Sequence, residues 1–184
     1  MYIKKGWRAP QGMNPPSRST MSRINNAQGR LMEDMILGAC RDYESRGIAR
    51  IVKMPEPFRV MRNTDRARGV ATVRFTGRAE PDFVGCLAGG RMIAFEAKYT
   101  TADRIQQRVV TDAQAEALSR YTMLGAGTYV CCGIGTGYEL NYYMVPWSTW
   151  AHMGVTYGRK YMTREDAKMY RVKADTVIHF LDNI

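Results

Sequence analysis

Histidine is nearly missing from this chain: only His152 and His179 occur, both late in the sequence. Histidine-rich zinc sites and Ser-His triads therefore have almost no material to draw on. Any catalysis has to run on carboxylates and lysine. Cysteine excludes as much: Cys40, Cys86, Cys131 and Cys132 form no CxxC pair. The adjacent Cys131 and Cys132 suit a buried strand, and a cytoplasmic protein with reduced thiols is the simpler expectation. No stretch approaches the roughly 20 apolar residues of a membrane span, so no membrane partner is expected. Lys4 and Lys5 are followed by no apolar core of the kind a secretory signal carries. Acidic residues are absent from the first 30 positions.

What the chain does have is apolar residues at 45% of its 184 positions, enough for one real core, and a net charge of +10. The charge is concentrated. Residues 1–30 carry six basic side chains, and residues 46–78 carry nine against two acids. From residue 79 onward acids and bases balance at eleven each. Localised positive charge suits a polyanion better than a neutral metabolite.

Pro10, Pro15 and Pro16, with scattered basics and no periodic apolar pattern, read as a flexible basic arm over residues 1–25. A single domain is expected over 26–184. From Asn26 the spacing of Leu31, Met35, Ala39-Cys40 and Tyr43 predicts a helix that Gly47 stops. A short strand follows over 48–54. Two β-like pieces, 58–62 and 70–75, flank the polar turn 63–69 and predict a protruding hairpin. Strands are expected at 81–87 and 91–98, joined by Gly89-Gly90. Thr111-Asp112-Ala113-Gln114 looks like a capping box that opens a helix to about Leu124. Strands at 128–134 and 139–145 come next, then short helices that include 163–170, and a final strand near 177–181. The order predicts a mixed α/β sheet.

Asp82 falls on one strand of the central pair, and Glu96 and Lys98 on the other. A separation of two puts Glu96 and Lys98 on one face, among apolar neighbours such as Ile93, Phe95 and Val84. A charge there needs a partner or a metal. Two carboxylates on adjacent strands can hold Mg²⁺ through oxygen ligands, and an ammonium beside them can orient a water or offset charge on a phosphorus. A structural Lys–carboxylate pair on a solvated face is the plain alternative. The spacing favours chemistry: Pro81-Asp82, thirteen residues, then Glu96-Ala97-Lys98 resembles the PD-(D/E)XK nuclease signature.

The surroundings sharpen the likeness. Gly29–Glu33, Tyr43–Ala49 and Lys53–Pro57 resemble the opening of the RecU family of Holliday junction resolvases. Phe95–Thr100 is similar to that family's FEAK-x-T strand, Ala113-Gln114 to its HQ position, and Gly158-Arg159-Lys160 to its late segment. The resemblance implies a restriction-endonuclease-like fold, with a mixed central sheet flanked by helices and a stalk hairpin over about 58–80. It also implies a homodimeric endonuclease that resolves four-way junctions by paired symmetric nicks in recombination and repair. Mg²⁺ would be the cofactor, with Mn²⁺ as a substitute, and branched DNA and recombination proteins would be the partners. Asp82, Glu96 and Lys98 match its metal-binding acids and lysine. Gln114 falls near the site, where helix capping is an adequate alternative. Glu33 is a further carboxylate that could bind metal through water, or else an exposed helix acid. Arg62, Arg66, Arg68, Arg74 and Arg78 are the implied phosphate contacts of the stalk; a charged hairpin that resists edge aggregation is the alternative. One departure stands out: Glu80-Pro81 occupy the place where that family has Ser or Thr.

Rival functions remain in view. A nuclease of the same fold could act on other DNA in phage or repair, in a bacterial or phage-infected cytoplasm. A catalytically weak DNA-binding recombination accessory is the alternative from another class. RNA binding has no RNP- or KH-type signal to support it.

Overall fold

Glycines, prolines and alternating apolar residues divide the chain into short strands around two longer helices. The computed structural model describes residues 18–55, 58–65, 67–75, 80–182 and 184. Helix α1 spans Arg18–Ser45, and strands β1 Ala49–Lys53, β2 Phe58–Asp65, β3 Val70–Phe75, β4 Phe83–Leu87, β5 Met92–Thr100 and β6 Arg104–Gln106 follow. Next come α2 Asp112–Met123, β7 Gly127–Ile134, β8 Asn141–Pro146, α3 Trp147–Ala151 and α4 Met153–Tyr157. The chain closes with β9 Tyr161–Thr163, α5 Arg164–Ala167 and β10 Arg171–Val172.

Six strands form the main sheet in the order β1-β4-β5-β7-β8-β10. Only the β5–β7 pair is parallel. A parallel pair needs a crossover, and α2 supplies it. The expected mixed sheet flanked by helices is therefore present. Period-two alternation splits the core into two layers. On one face Ile93, Phe95, Cys131 and Met144 pack with Met32, Ile36, Ala39 and Tyr43 of α1. On the other, Val130, Cys132, Ile134 and Val145 pack with Leu118 of α2 and Trp150 of α3. Phe83 stacks on Phe95 with ring centroids 4.9 Å apart, tying β4 to β5 on the α1 side. Gly85 is required where β4 pairs with β1, opposite Ile51. A Cβ there would stand 2.2 Å from the Arg50 carbonyl oxygen and 2.6 Å from Ile51 Cα.

Several expectations need correction. α1 begins at Arg18, so residues 18–25 of the expected arm are helical. No proline or glycine interrupts them, and Asn25 Oδ1 accepts a hydrogen bond from the Thr101 amide at 3.3 Å, fastening this turn to the end of β5. The rest of the arm, 1–17, lies outside the described residues. No strand forms over 177–181. Ile178 and Phe180 are buried there, but the chain turns, with one isolated bridge between Ala174 and Ile178, and the last strand is β10. Strands β6 and β9 pair with each other in a separate small sheet that the sequence pattern did not announce.

A hairpin forms where one was expected, with β2 running on to Asp65, into the expected turn. Among the described residues β2 and β3 pair only with one another, and Asp65 shapes the turn by accepting from the amides of Ala67 and Arg68 at 3.0 and 3.2 Å. Phe58, Val60, Met61, Val70 and Val73 are exposed along it.

Candidate active site

The alternation that buries Phe95 toward α1 turns Glu96 and Lys98 toward α2. Glu96 is fully buried, while the Lys98 side chain keeps 17% of its surface exposed. Lys98 Nζ donates to Glu96 Oε2 at 2.8 Å. Asp82 stands one residue before β4 rather than within it. Its Oδ2 accepts from the Ala97 amide at 2.9 Å and lies 3.8 Å from Lys98 Nζ. Asp82, Glu96 and Lys98 thus converge, as their spacing suggested.

Gln114 joins them from the first turn of α2. Its Nε2 donates to Glu96 Oε2 at 2.6 Å, and its Oε1 accepts from the Thr111 amide and hydroxyl at 3.1 and 3.2 Å. The two ends of one amide thus meet two partners: Oε1 completes the capping box of α2, and Nε2 reaches Glu96.

Burial pushes the Glu96 carboxyl up from 4.5 to about 7; the like charge of Asp82 adds to the rise and Lys98 opposes it. Both donors to Glu96 converge on Oε2. Oε1 is buried with no hydrogen-bond partner, the one such side-chain atom among the described residues. A carboxylate oxygen left bare in a protein interior is expensive, and a cation beside it removes the expense. Two adjacent carboxylates suit Mg²⁺, which takes one or two and fills its remaining positions with waters. The residues present fit such an ion.

Glu33 is placed differently. It sits on α1, across the sheet from Gln114, with Oε2 held by Lys53 Nζ of β1. Among the described residues no three His, Cys, Asp or Glu side chains gather into a group that could hold a metal. Glu80, standing where a hydroxyl residue was expected, accepts from the Tyr121 hydroxyl of α2 at 3.1 Å and so anchors the approach to Asp82.

Of the hairpin arginines, Arg66 and Arg78 lie outside the described residues. Arg62 pairs with Thr72 in the register, next to a bulge. Arg68 is exposed, 3.7 Å from Asp65, and Arg74 is exposed on β3. Sequence reasoning missed Arg59, which lies directly opposite Arg74. Two like charges facing across a ladder repel. The signal was present as Phe-Arg-Val against Val-Arg-Phe, but reading it needed the register.

Residues 27–184 match the family described as Recombination protein U, RecU. The chain belongs to the RecU family. RecU proteins are Holliday junction resolvases, endonucleases of recombination, and this match covers the whole sheet, α2 and all four converging side chains. Among solved structures, the chain is similar to Hjc, a Holliday junction resolvase from the archaeal hyperthermophile Archaeoglobus fulgidus. That likeness has a TM-score of 0.40 and 15% identity over 66% of this chain and 75% of that one. No curated protein matches. No helix among the described residues is long and apolar enough to cross a membrane.

Proposed function

We propose that Asp82, Glu96, Lys98 and Gln114 form the cleavage centre of this RecU resolvase, and that Asp82 and Glu96 hold Mg²⁺ or Mn²⁺. The observation that carries the reading is the bare, buried Oε1 of Glu96 next to a second carboxylate. When bound, the ion lowers the pKa of a water and offsets charge on the phosphoryl oxygens. Lys98, held beside both carboxylates, orients the attacking water and donates to the phosphoryl group as charge builds there. Gln114 keeps Glu96 Oε2 fixed. Water attacks phosphorus and gives up a proton to solvent as the bond to the 3′ oxygen breaks. That oxygen takes a proton, leaving 5′-phosphate and 3′-hydroxyl ends.

A four-way junction is two-fold symmetric, and symmetric nicks call for two such centres in a homodimer. The hairpin arginines, including Arg59 and Arg74, contact phosphates at the junction centre, so binding follows backbone charge and DNA shape more than base identity. The test is cleavage of a synthetic four-way junction against a matched linear duplex, with and without Mg²⁺. Mg²⁺-dependent cutting confined to the junction supports the reading. Equal cutting of both DNAs would make the protein a general nuclease, and tight binding without cutting in any divalent metal would make it an accessory.

A further inference from the structure

The Gln114 side chain has one donor end and one acceptor end, and only one orientation serves Glu96. A carboxylate accepts hydrogen bonds and donates none when ionised. If the amide were reversed, Oε1 would face Glu96 Oε2 at 2.6 Å, oxygen against oxygen. The orientation is set at the far end of the amide. There the Thr111 backbone N–H and hydroxyl both point donors at Oε1, at 3.1 and 3.2 Å. The same hydroxyl accepts from the Gln114 backbone N–H at 3.4 Å, closing the capping box at the start of α2. The Thr111 hydroxyl has one proton and free lone pairs, and this arrangement uses it both ways.

From this geometry we infer that Thr111 is a positioning residue for the cleavage centre: it fixes the polarity of the Gln114 amide, which in turn holds the Glu96 carboxylate with Oε1 left bare. The inference rests on the reading of Glu96 and Gln114 as part of that centre. A helix cap alone would need the hydroxyl only as an acceptor. Here its proton matters as well, and that separates the two roles. Asp at position 111 can still accept from the Gln114 amide and cap the helix, but it carries no hydroxyl proton and sets a negative oxygen beside Oε1. Ser retains both functions. Val has neither.

The experiment uses the full chain as wild type, Thr111→Ser, Thr111→Asp, Thr111→Val, Gln114→Ala and the Thr111→Val/Gln114→Ala double variant. The Gln114 side-chain N–H signals are read by NMR in the metal-free protein, as chemical shift and as hydrogen-exchange rate. Junction cleavage is read in single turnover with Mg²⁺, and folding by thermal melting. The Gln114 amide should be protected from exchange in wild type and in Thr111→Ser, and lose that protection in Thr111→Val and Thr111→Asp. Cleavage should slow by about tenfold in those two variants, although Thr111→Asp melts close to wild type. Adding Thr111→Val to Gln114→Ala should slow cleavage no further. A Gln114 amide equally protected in Thr111→Val would overturn the inference, and so would an undiminished effect of Thr111→Val in the Gln114→Ala background. Wild-type cutting by Glu96→Gln would instead sink the assignment of the centre, while the NMR readout would still decide what Thr111 does to the amide.

Discussion

Replacing Glu96 with Gln should raise the melting temperature of the metal-free protein at about pH 8 and leave it nearly unchanged at about pH 4. The Glu96 carboxyl is displaced from 4.5 to about 7, first by burial. A folded value above the unfolded one means that the folded state keeps a proton the unfolded chain gives up. Folding is therefore penalised progressively as pH rises from about 4.5 to about 7, and the full penalty is present above that window. The gap between the two values corresponds to roughly 3 kcal/mol. Gln has nearly the shape of the protonated acid, and its Oε1 can still accept from Lys98 and Gln114. Lys98 keeps Asp82 as a counter-charge at 3.8 Å.

For a chain of this length 1 kcal/mol moves the midpoint by about 2–4 °C, so the variant should melt some 6 °C or more above the parent on the alkaline side. The assay is calorimetry or circular dichroism of metal-stripped protein across a pH series, with the variant's junction cleavage measured in parallel and expected to be almost abolished. Added Mg²⁺ should stabilise the parent selectively and narrow the difference. A variant that melts lower than the parent at alkaline pH would refute the argument, as would a difference of the same size at every pH.

Lys98→Ala should remove cleavage and leave junction affinity close to that of the parent in a gel-shift titration; substantial residual turnover would take the lysine out of the chemistry. Replacing Arg59 and Arg74 together with Ala should weaken binding to a four-way junction more than to duplex and flatten the log-log salt dependence by up to about two units; equal losses on both DNAs would reduce the hairpin to a nonspecific basic patch. Gly85→Ala should lower stability in urea by roughly 3 kcal/mol or more, because the new methyl group meets the backbone of β1 rather than a yielding side chain; near-wild-type stability would show that β1 can slide outward from β4.

The parts of the fold legible in the sequence were those whose cause is local. Gly47 and Gly89-Gly90 end their elements with positive φ angles, and Thr111 and Gln114 spell out a capping box that is present with both of its hydrogen bonds. The two-residue step from Glu96 to Lys98 translates directly into a 2.8 Å contact. Illegible parts depend on partners far along the chain. The first turns of α1 are held by Asn25 against Thr101. Strands β6 and β9 are three residues each and exist because they pair with one another. The buried pattern at 177–181 has the apolar content of a strand, but the chain turns there and offers no extended edge. In the site, Asp82, Glu96 and Lys98 could be read from spacing. The pairing of Glu33 with Lys53 could not, since it depends on which face of the sheet α1 covers.

That face assignment also accounts for the site's location. β5 is an interior strand with helices over both faces, so each of its residues must suit a packed layer. Phe95 does so on the α1 side. Glu96 does not on the α2 side, and the fold answers with only part of what a buried carboxylate requires: an ammonium from the same strand and an amide from the helix that carries the chain across to β7. Both donors go to one oxygen, and the other is left bare at 0% exposure. A sequence selected for stability alone would place Gln or an apolar residue there. Keeping Glu raises the free energy of the folded protein at neutral pH, and under the proposed function that cost is offset when a cation meets the bare oxygen beside Asp82. The destabilisation expected to vanish in Glu96→Gln has its source in the same bare, buried oxygen that the proposed function offers to a divalent ion.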